Sequence, residues 1–472
     1  MSGSDLWTAY EAAAATFGDV MGAEWSASGL SIDTRRLEPG DIFVAVKDVR
    51  DGHDFLAAAA NAGAAAALVS YIPEDAPASL PLLKVNDTMA GLRTLARASR
   101  DRNFGKLVAV TGSVGKTSVK EMLRATLSEA GDVHAAAASF NNHLGVPLTL
   151  ASLPPKSDYG VFEIGMNHAG EITPLVAMVR PHVAIITTIA AVHLEFFDSV
   201  DGIAAAKAEI LSGIRPGGVA VLPADSSYYE YLESEAKGQN VDRIIPFGET
   251  ADGKKGAQLT GYEEQKGGKA KVTAKVLDED ISFLLQAKGK HHAVNAMSVL
   301  ASCSALGIPM EKACRGLEQF TAGDGRGAVY ERTLQGKKIR ILDESYNANP
   351  TSMTATLTVL GATQPEGQGR RIAVLGEMKE LGPQSPDLHA SLAPPILEAK
   401  VEKLYTAGQD MLALNEKLSG QVPQHHREKA EELMEALGAD LRDGDVVLFK
   451  GSNASGIGTL LKLFLAKTDE AG

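Results

Sequence analysis

A chain of 472 residues with 44% apolar and 22% charged side chains is too long for one small module and too apolar for a disordered or fibrous protein. At roughly 100–200 residues per domain it predicts about three domains, each burying a core of its own. Lys and Arg total 46 against 59 Asp and Glu, a formal net charge of −13; this acidity argues against a nucleic-acid partner and requires any phosphate ligand to be met by a local site.

Two cysteines, Cys303 and Cys314, are too few for a disulfide framework or a Cys-based zinc site and point to a reducing cytoplasm. The opening residues 1–5 lack the basic start and apolar stretch of a signal peptide. The Ala-rich run 57–69 is too short and too weakly apolar to cross a bilayer, so no membrane insertion is expected.

In chain order, residues 1–85 read as a small α/β unit, with a strand over 42–46 and an Ala-rich helix over 54–67. A basic amphipathic helix follows over 88–102. Leu92, Leu95, Ala96 and Ser99 form one face and Arg93, Arg97, Arg100 and Arg102 the other, leading into a joint at Asn103-Phe-Gly-Lys106. Between 106 and 320, strands at 107–110, 160–164, 183–189 and 219–222 alternate with helical patterns. One helix starts at Lys116 with apolar positions 119, 122, 123, 126 and 127, and another covers 291–306, an alternation that predicts parallel βαβ units. A polar stretch rich in Gly and Lys, 248–271, reads as a surface loop or hairpin. After residues 321–327 a fresh alternation begins: strands at 339–343, 371–375, 403–406 and 446–450, and helices at 352–361, near 387–399, 428–437 and 455–465. The expected fold class is α/β in three domains, 1–102, 103–321 and 322–472, the central one a parallel-sheet phosphate-loop unit and the last Rossmann-like.

The strongest local signal is the run from Val108 to Ser118, a buried strand entering a glycine-rich turn that opens a helix. Thr111, Gly112, Ser113, Val114, Gly115, Lys116, Thr117 and Ser118 form the short T-G-x-x-G-K-T version of a phosphate loop. Its glycines let backbone N–H groups converge on phosphate oxygens, Lys116 balances the β/γ charge and Thr117 can ligate magnesium, so a nucleoside triphosphate such as ATP is the expected ligand. Glu163 ends the strand 160–164 and would face the same crevice. On position alone it reads equally as a Mg²⁺ ligand or an ordinary strand-end carboxylate. His193 follows the strand 183–189, where an isolated histidine is more often structural. Lys207, by spacing alone, reads as a solvated lysine of an Ala-rich helix.

Taken together and in order, Thr111–Ser118, Asn141-Asn-His-Leu-Gly-Val-Pro147, Glu163, His193, Lys207-Ala-Glu-Ile210, Gly289, His291, Asn295, Arg326 and Asp343 resemble the Mur ligase superfamily, over nearly the whole chain. The run Leu342–Met353, containing Tyr346-Asn-Ala-Asn-Pro350, and Leu375-Gly-Glu-Met-Lys-Glu-Leu-Gly382 followed by His389 are similar to the branch that adds D-alanyl-D-alanine. Residues 31–36, 40–46 and 51–55 resemble that branch's UDP-sugar-binding domain. The resemblance implies that Lys116 and Thr117 hold ATP phosphates and that Thr117 with Glu163 ligates one Mg²⁺. It implies a second Mg²⁺ on His193 and a carbamylated Lys207. Asn295 would contact adenine, Asp343 the ribose and Arg326 the phosphates. Asn141, Asn142, Tyr346, Asn347 and Asn349 would line the place where two peptides meet, and Asp33, Thr34 and Arg35 would contact uridine diphosphate. The implied activity is ATP-dependent joining of D-Ala-D-Ala to UDP-MurNAc-tripeptide through an acyl phosphate, by a monomer acting on small molecules alone, with a rotation of the last domain about residues 320–327.

Three positions depart from the pattern. His292 stands where asparagine is usual, Thr34 replaces a commoner serine, and Asn453 ends a Lys-Gly-Ser run that normally closes on arginine. Two other activities compete. A ligase adding the third peptide residue would carry another sequence at 346–350, and a nucleotide-gated regulatory protein would have no use for His193 with Lys207.

Overall fold

The computed structural model describes residues 5–137, 139–265 and 269–470, so residues 1–4 of the leader argument and 266–268 of the polar stretch lie outside the described residues. The architecture is mixed α/β, built on three larger sheets of five, nine and seven strands, with a two-stranded pairing of Trp7–Thr8 and Ser26–Ala27 beside the first.

The first sheet runs in the order Asp19–Met21, Leu82–Lys84, Ala66–Val69, Asp41–Val44, Gly29–Ser31. Its centre corrects the sequence reading. The helix expected over 54–67 shrinks to a 3-10 turn, Gly52–Phe55, and a short helix, Leu56–Asn61, because Gly63 turns the chain at φ +88° and Ala66–Val69 becomes a buried strand. Alanine's helix propensity is outweighed by a slot between two strands, where each of these four side chains leaves water completely.

The helix Thr88–Arg102 forms as expected, with the Asp87 carboxylate accepting from the Ala90 N–H at 2.6 Å. Its basic face is only partly solvated. Arg100 is buried and donates to the carbonyls of Val179, Asn103 and Arg180, and Asn103 donates to those of Pro154 and Ser157. The joint is therefore a buried, hydrogen-bonded seam. Leu92, Leu95 and Ala96 share one core with Leu148, Leu150, Leu175 and Val179 of the following unit. The expectation of a separate core for each unit does not hold at this seam.

The nine-stranded sheet has the order Glu279–Leu285, Ala270–Val276, Ala257–Glu264, Arg243–Gly248, Val219–Pro223, Val183–Ile186, Lys106–Thr111, Tyr159–Glu163, Val133–Ala135. Its strands are parallel except for the two antiparallel pairings that join Ala257–Glu264, Ala270–Val276 and Glu279–Leu285. The polar stretch thus becomes a hairpin arm of the sheet rather than a free loop. The helix Lys116–Ser128 buries Val119, Met122, Leu123, Thr126 and Leu127, the expected stripe. Strand order reverses around Lys106–Thr111, which lies between Tyr159–Glu163 and Val183–Ile186, and this reversal opens a crevice at the carboxyl ends of those strands.

The seven-stranded sheet runs Gln424–Arg427, Lys403–Ala407, Arg371–Gly376, Val446–Lys450, Lys337–Glu344, Ala328–Leu334, Asp469–Glu470. The helix expected near 387–399 is split into Ser385–Ala390 and Ala393–Glu398, since Pro394 and Pro395 cannot donate back into a preceding turn. The helix expected over 428–437 is a 3-10 turn, Ala430–Leu433, continued by Met434–Asp440. Among the described residues no helix is long and apolar enough to cross a membrane.

Candidate functional site

A cleft of about 830 Å³ lies between the carboxyl ends of strands in the nine-stranded sheet and the carboxyl ends of interior strands in the seven-stranded one. The phosphate loop forms its floor. Gly112 sits at φ +147°, where an added Cβ would lie 1.9 Å from Thr187 Oγ1, and Gly115 at φ +87°, where one would lie 2.8 Å from Asn295 Oδ1. Both glycines are required by backbone conformation and by close approach. Thr187 Oγ1 donates to the Val114 carbonyl at 2.5 Å, and Ser113 Oγ donates to the Ala190 carbonyl at 3.0 Å, so the strand Val183–Ile186 and the turn after it brace the loop.

Lys116 Nζ donates to the Gly112 carbonyl at 2.6 Å, folded back over its own loop. Burial holds its ammonium below the ordinary lysine range, with the Glu163 charge opposing that shift. Thr117 Oγ1 donates to Glu163 Oε2 at 2.8 Å and Asn141 Nδ2 donates to Glu163 Oε1 at 2.8 Å. Glu163, placed by strand Tyr159–Glu163, is thereby the centre of a polar triad that the sequence named residue by residue but could not assemble.

From the opposite wall, Arg326 stacks its guanidinium 3.7 Å from the Tyr346 ring centroid and donates through Nη2 to Ser139 Oγ at 3.3 Å. Ser139 also lies 3.2 Å from Thr117 Oγ1, so one hydroxyl links the two walls; sequence reasoning gave no signal for it. Tyr346, Asn347 and Asn349 line the cleft, as do Ser113, Val114, Ser118, Asn141, His193 and Asn295. Other expected residues do not. Thr111 is buried with an unpartnered hydroxyl. Asn142 Oδ1 accepts from the Leu144 and Gly145 N–H groups at the start of the helix Gly145–Ala151. Asp343 is buried and accepts from the Gly325 N–H at 2.7 Å and from the Ser345 hydroxyl at 2.6 Å, fixing the turn that carries Arg326. Asp33, Thr34 and Arg35 lie in the first unit, where Arg35 forms a surface ion pair with Asp33 that holds the Asp33 carboxyl down at about 2.

Lys207 is not the solvated lysine that spacing suggests. It is 1% exposed on helix Val200–Ala208, with no hydrogen-bonding or ionic partner among the described residues. Burial, and then the nearby Lys116 charge, push its pKa far below the lysine range, so the site disfavours the ammonium form. His193 Nδ1 lies 2.5 Å from Glu380 Oε2 in the other unit. Deeper in the cleft, His291, His292 and Glu344 bring ligand atoms within 4.8 Å of one another, and neither ring nitrogen of His292 has a partner. Burial raises the Glu344 carboxyl to about 7 despite the neighbouring Lys450, and burial together with Lys450 lowers His291 to about 4.

Comparison with known proteins identifies this arrangement. Residues 110–303 match the family model of the Mur ligase middle domain, and residues 325–453 match that of the Mur ligase glutamate ligase domain. The chain belongs to the Mur ligase family. It is similar to a UDP-N-acetylmuramoyl-tripeptide--D-alanyl-D-alanine ligase of Escherichia coli, with 36% identity over 84% of this chain and 85% of that one. A crystal structure of MurF from Acinetobacter baumannii superposes with a TM-score of 0.83 at 32% identity, covering 98% of this chain and 99% of that one. A MurF ligase from Thermotoga maritima in complex with ADP gives 0.77 at 26% identity, covering 93% and 97%.

The Mur ligase cleft fits a divalent cation by the chemistry of its donors. The Thr117 hydroxyl and the Glu163 carboxylate offer hard oxygen ligands beside the phosphate loop. Nδ1 of His193 faces a carboxylate, and the neutral imidazole with its proton on that nitrogen would offer the Nε2 lone pair to an ion.

Proposed function

We propose that this chain is an ATP-dependent amide ligase that joins D-alanyl-D-alanine to a UDP-N-acetylmuramoyl-tripeptide in peptidoglycan precursor synthesis, releasing ADP and phosphate. The observation that carries the chemistry is the cleft itself, which sets the phosphate loop opposite Arg326, Tyr346 and Asn347 of another sheet. The substrate pair is supported by the likeness to the Escherichia coli and Acinetobacter baumannii enzymes over most of both chains.

A carboxylate and an amine do not condense at neutral pH, because the carboxylate is a poor electrophile with no adequate leaving group. The tripeptide's terminal carboxylate attacks the γ-phosphorus of ATP, forming an acyl phosphate, and the dipeptide amine then attacks the acyl carbon and expels phosphate. No enzyme nucleophile is needed, and positioning and charge stabilisation carry the rate. Lys116 turns from the Gly112 carbonyl to the phosphoryl oxygens, and Arg326 approaches them from the facing wall. Mg²⁺ held by Thr117 and Glu163, and a second ion held by His193 and carbamylated Lys207, would neutralise charge on the transferring phosphoryl group. Carbamylation suits Lys207. The unprotonated amine, which burial favours, forms the N–C bond to CO₂ and loses a proton, giving an anionic oxygen ligand.

Asn295 contacts adenine. Asp343, buried behind the cleft wall, steadies the Gly325 turn that presents Arg326. Asn141, Asn347 and Asn349 line the peptide side, Asn142 supports that wall by capping the helix Gly145–Ala151, and Asp33, Thr34 and Arg35 hold uridine diphosphate in the first unit. The protein acts as a cytoplasmic monomer with its domains at 1–102, 103–321 and 322–472. The deciding assay follows phosphate release from ATP with UDP-MurNAc-tripeptide and D-Ala-D-Ala, each omitted in turn. Release that persists with both acceptors absent contradicts the proposal.

A further inference from the structure

The segment Leu375–Gly382 marks the chain's branch by its sequence, yet none of the roles above uses its second glutamate. In the structure that residue, Glu380, reaches across the junction between the two large sheets. Its Oε2 lies 2.5 Å from His193 Nδ1, and its own carbonyl accepts from the Glu195 N–H at 3.2 Å. Gly382, at φ +63°, passes so close that an added Cβ would stand 3.3 Å from Glu195 Cα. Two non-glycine residues face each other here in the left-handed region, His193 at φ 55° and Glu380 at φ 63°. That conformation is sparsely populated for such side chains, and it persists only where the surroundings enforce it.

We propose that Glu380 is a positioning residue that fixes the tautomer and ring orientation of His193 for metal binding, so that docking of the C-terminal unit completes the second metal site. An ionised carboxylate only accepts, so the Nδ1 it touches carries the proton, and in the neutral imidazole that a metal requires the lone pair is then on Nε2. A ring held from behind loses little further freedom when it binds an ion. Since His193 follows a strand of the central sheet and Glu380 follows a strand of the C-terminal sheet, the hydrogen bond exists only while the two units are docked. Metal affinity and docking are then linked, each favouring the other. This inference rests on the assignment of His193 as a metal ligand.

The test uses the full chain. Nitrogen-15 NMR of the metal-free protein reads the tautomer of His193, and Mn²⁺ titration followed by electron paramagnetic resonance, with a non-hydrolysable ATP analogue present, counts ions and their affinities. The wild type is expected to show His193 protonated on Nδ1 and two bound ions. Glu380→Ala should mix the tautomers and weaken the second ion about 10- to 100-fold, and Glu380→Gln, which keeps an acceptor for Nδ1–H, should recover most of that loss. An unchanged second-ion affinity in Glu380→Ala, or an Nε2-protonated His193 in the wild type, overturns the positioning role. Retention of both ions by His193→Ala overturns instead the ligand assignment beneath it.

Discussion

Lys207 is buried with no counter-charge beside it among the described residues, and that single placement decides between the solvated and the buried reading of this lysine. An Ala-rich helix with one lysine looks solvated, because spacing reports the helix's own faces and not what packs over them. Replacing Lys207 by Ala removes a costly buried amine, so thermal stability should hold or rise while turnover falls by orders of magnitude. Turnover of the wild type should also drop when CO₂ and bicarbonate are stripped. A near-normal rate in the variant would refute the carbamate. Glu344 gives a pH signature. Its carboxyl sits at about 7 in the fold against 4.5 when free, so its contribution to stability is full below pH 4.5 and is lost as pH rises through 7. Chemical denaturation across that window should show Glu344→Gln gaining on the wild type by roughly 2–3 kcal/mol from pH 4.5 to pH 8. The residue types of the site were largely legible in the sequence. Ser139 and Glu380 were not, because each acts through a partner far along the chain.

At the scale of elements, the strand, turn and helix from Lys106 to Ser128 agree with their sequence because local rules suffice: a buried apolar strand, two glycines at positive φ and a helix with one apolar stripe. The geometry makes Gly112 the least replaceable of these residues. Gly112→Ala would drive a Cβ into Thr187 Oγ1, so the loop must shift. Binding of ATP, measured by calorimetry, should fall at least 100-fold, with a stability loss of about 1–3 kcal/mol. Where an element's state is set by neighbours, sequence reading fails. Ala66–Val69 is a strand because two strands flank it, and the chain near 391–395 breaks where consecutive prolines remove donors.

For the whole molecule, the first and central units share a core through the helix Thr88–Arg102, whereas the C-terminal sheet meets the central one through polar contacts at Arg326, Ser139, His193 and Glu380. The two junctions should therefore respond differently. Arg100→Ala, which leaves the carbonyls of Val179 and Arg180 unpaired, should cost about 2–3 kcal/mol in denaturant melts. The polar junction is suited to motion, and small-angle scattering should detect rotation of the C-terminal unit about residues 320–327 between the free and fully liganded protein. Identical domain orientations in both states would rule that hinge out.

The sequence alone determined the α/β alternation, the phosphate loop and the family, since these depend on periodicity, on glycine conformation and on motifs that keep their order whatever the fold does around them. Its surplus of negative charge also implied that any phosphate ligand needs a local site rather than a basic surface, and Lys116 and Arg326 line one cleft. Only the tertiary structure decided that Lys207 is buried, that Glu163 sits between Thr117 and Asn141, and that a carboxylate from another sheet stands behind His193. Burial and long-range pairing are properties of what surrounds a residue, and no spacing along the chain contains them.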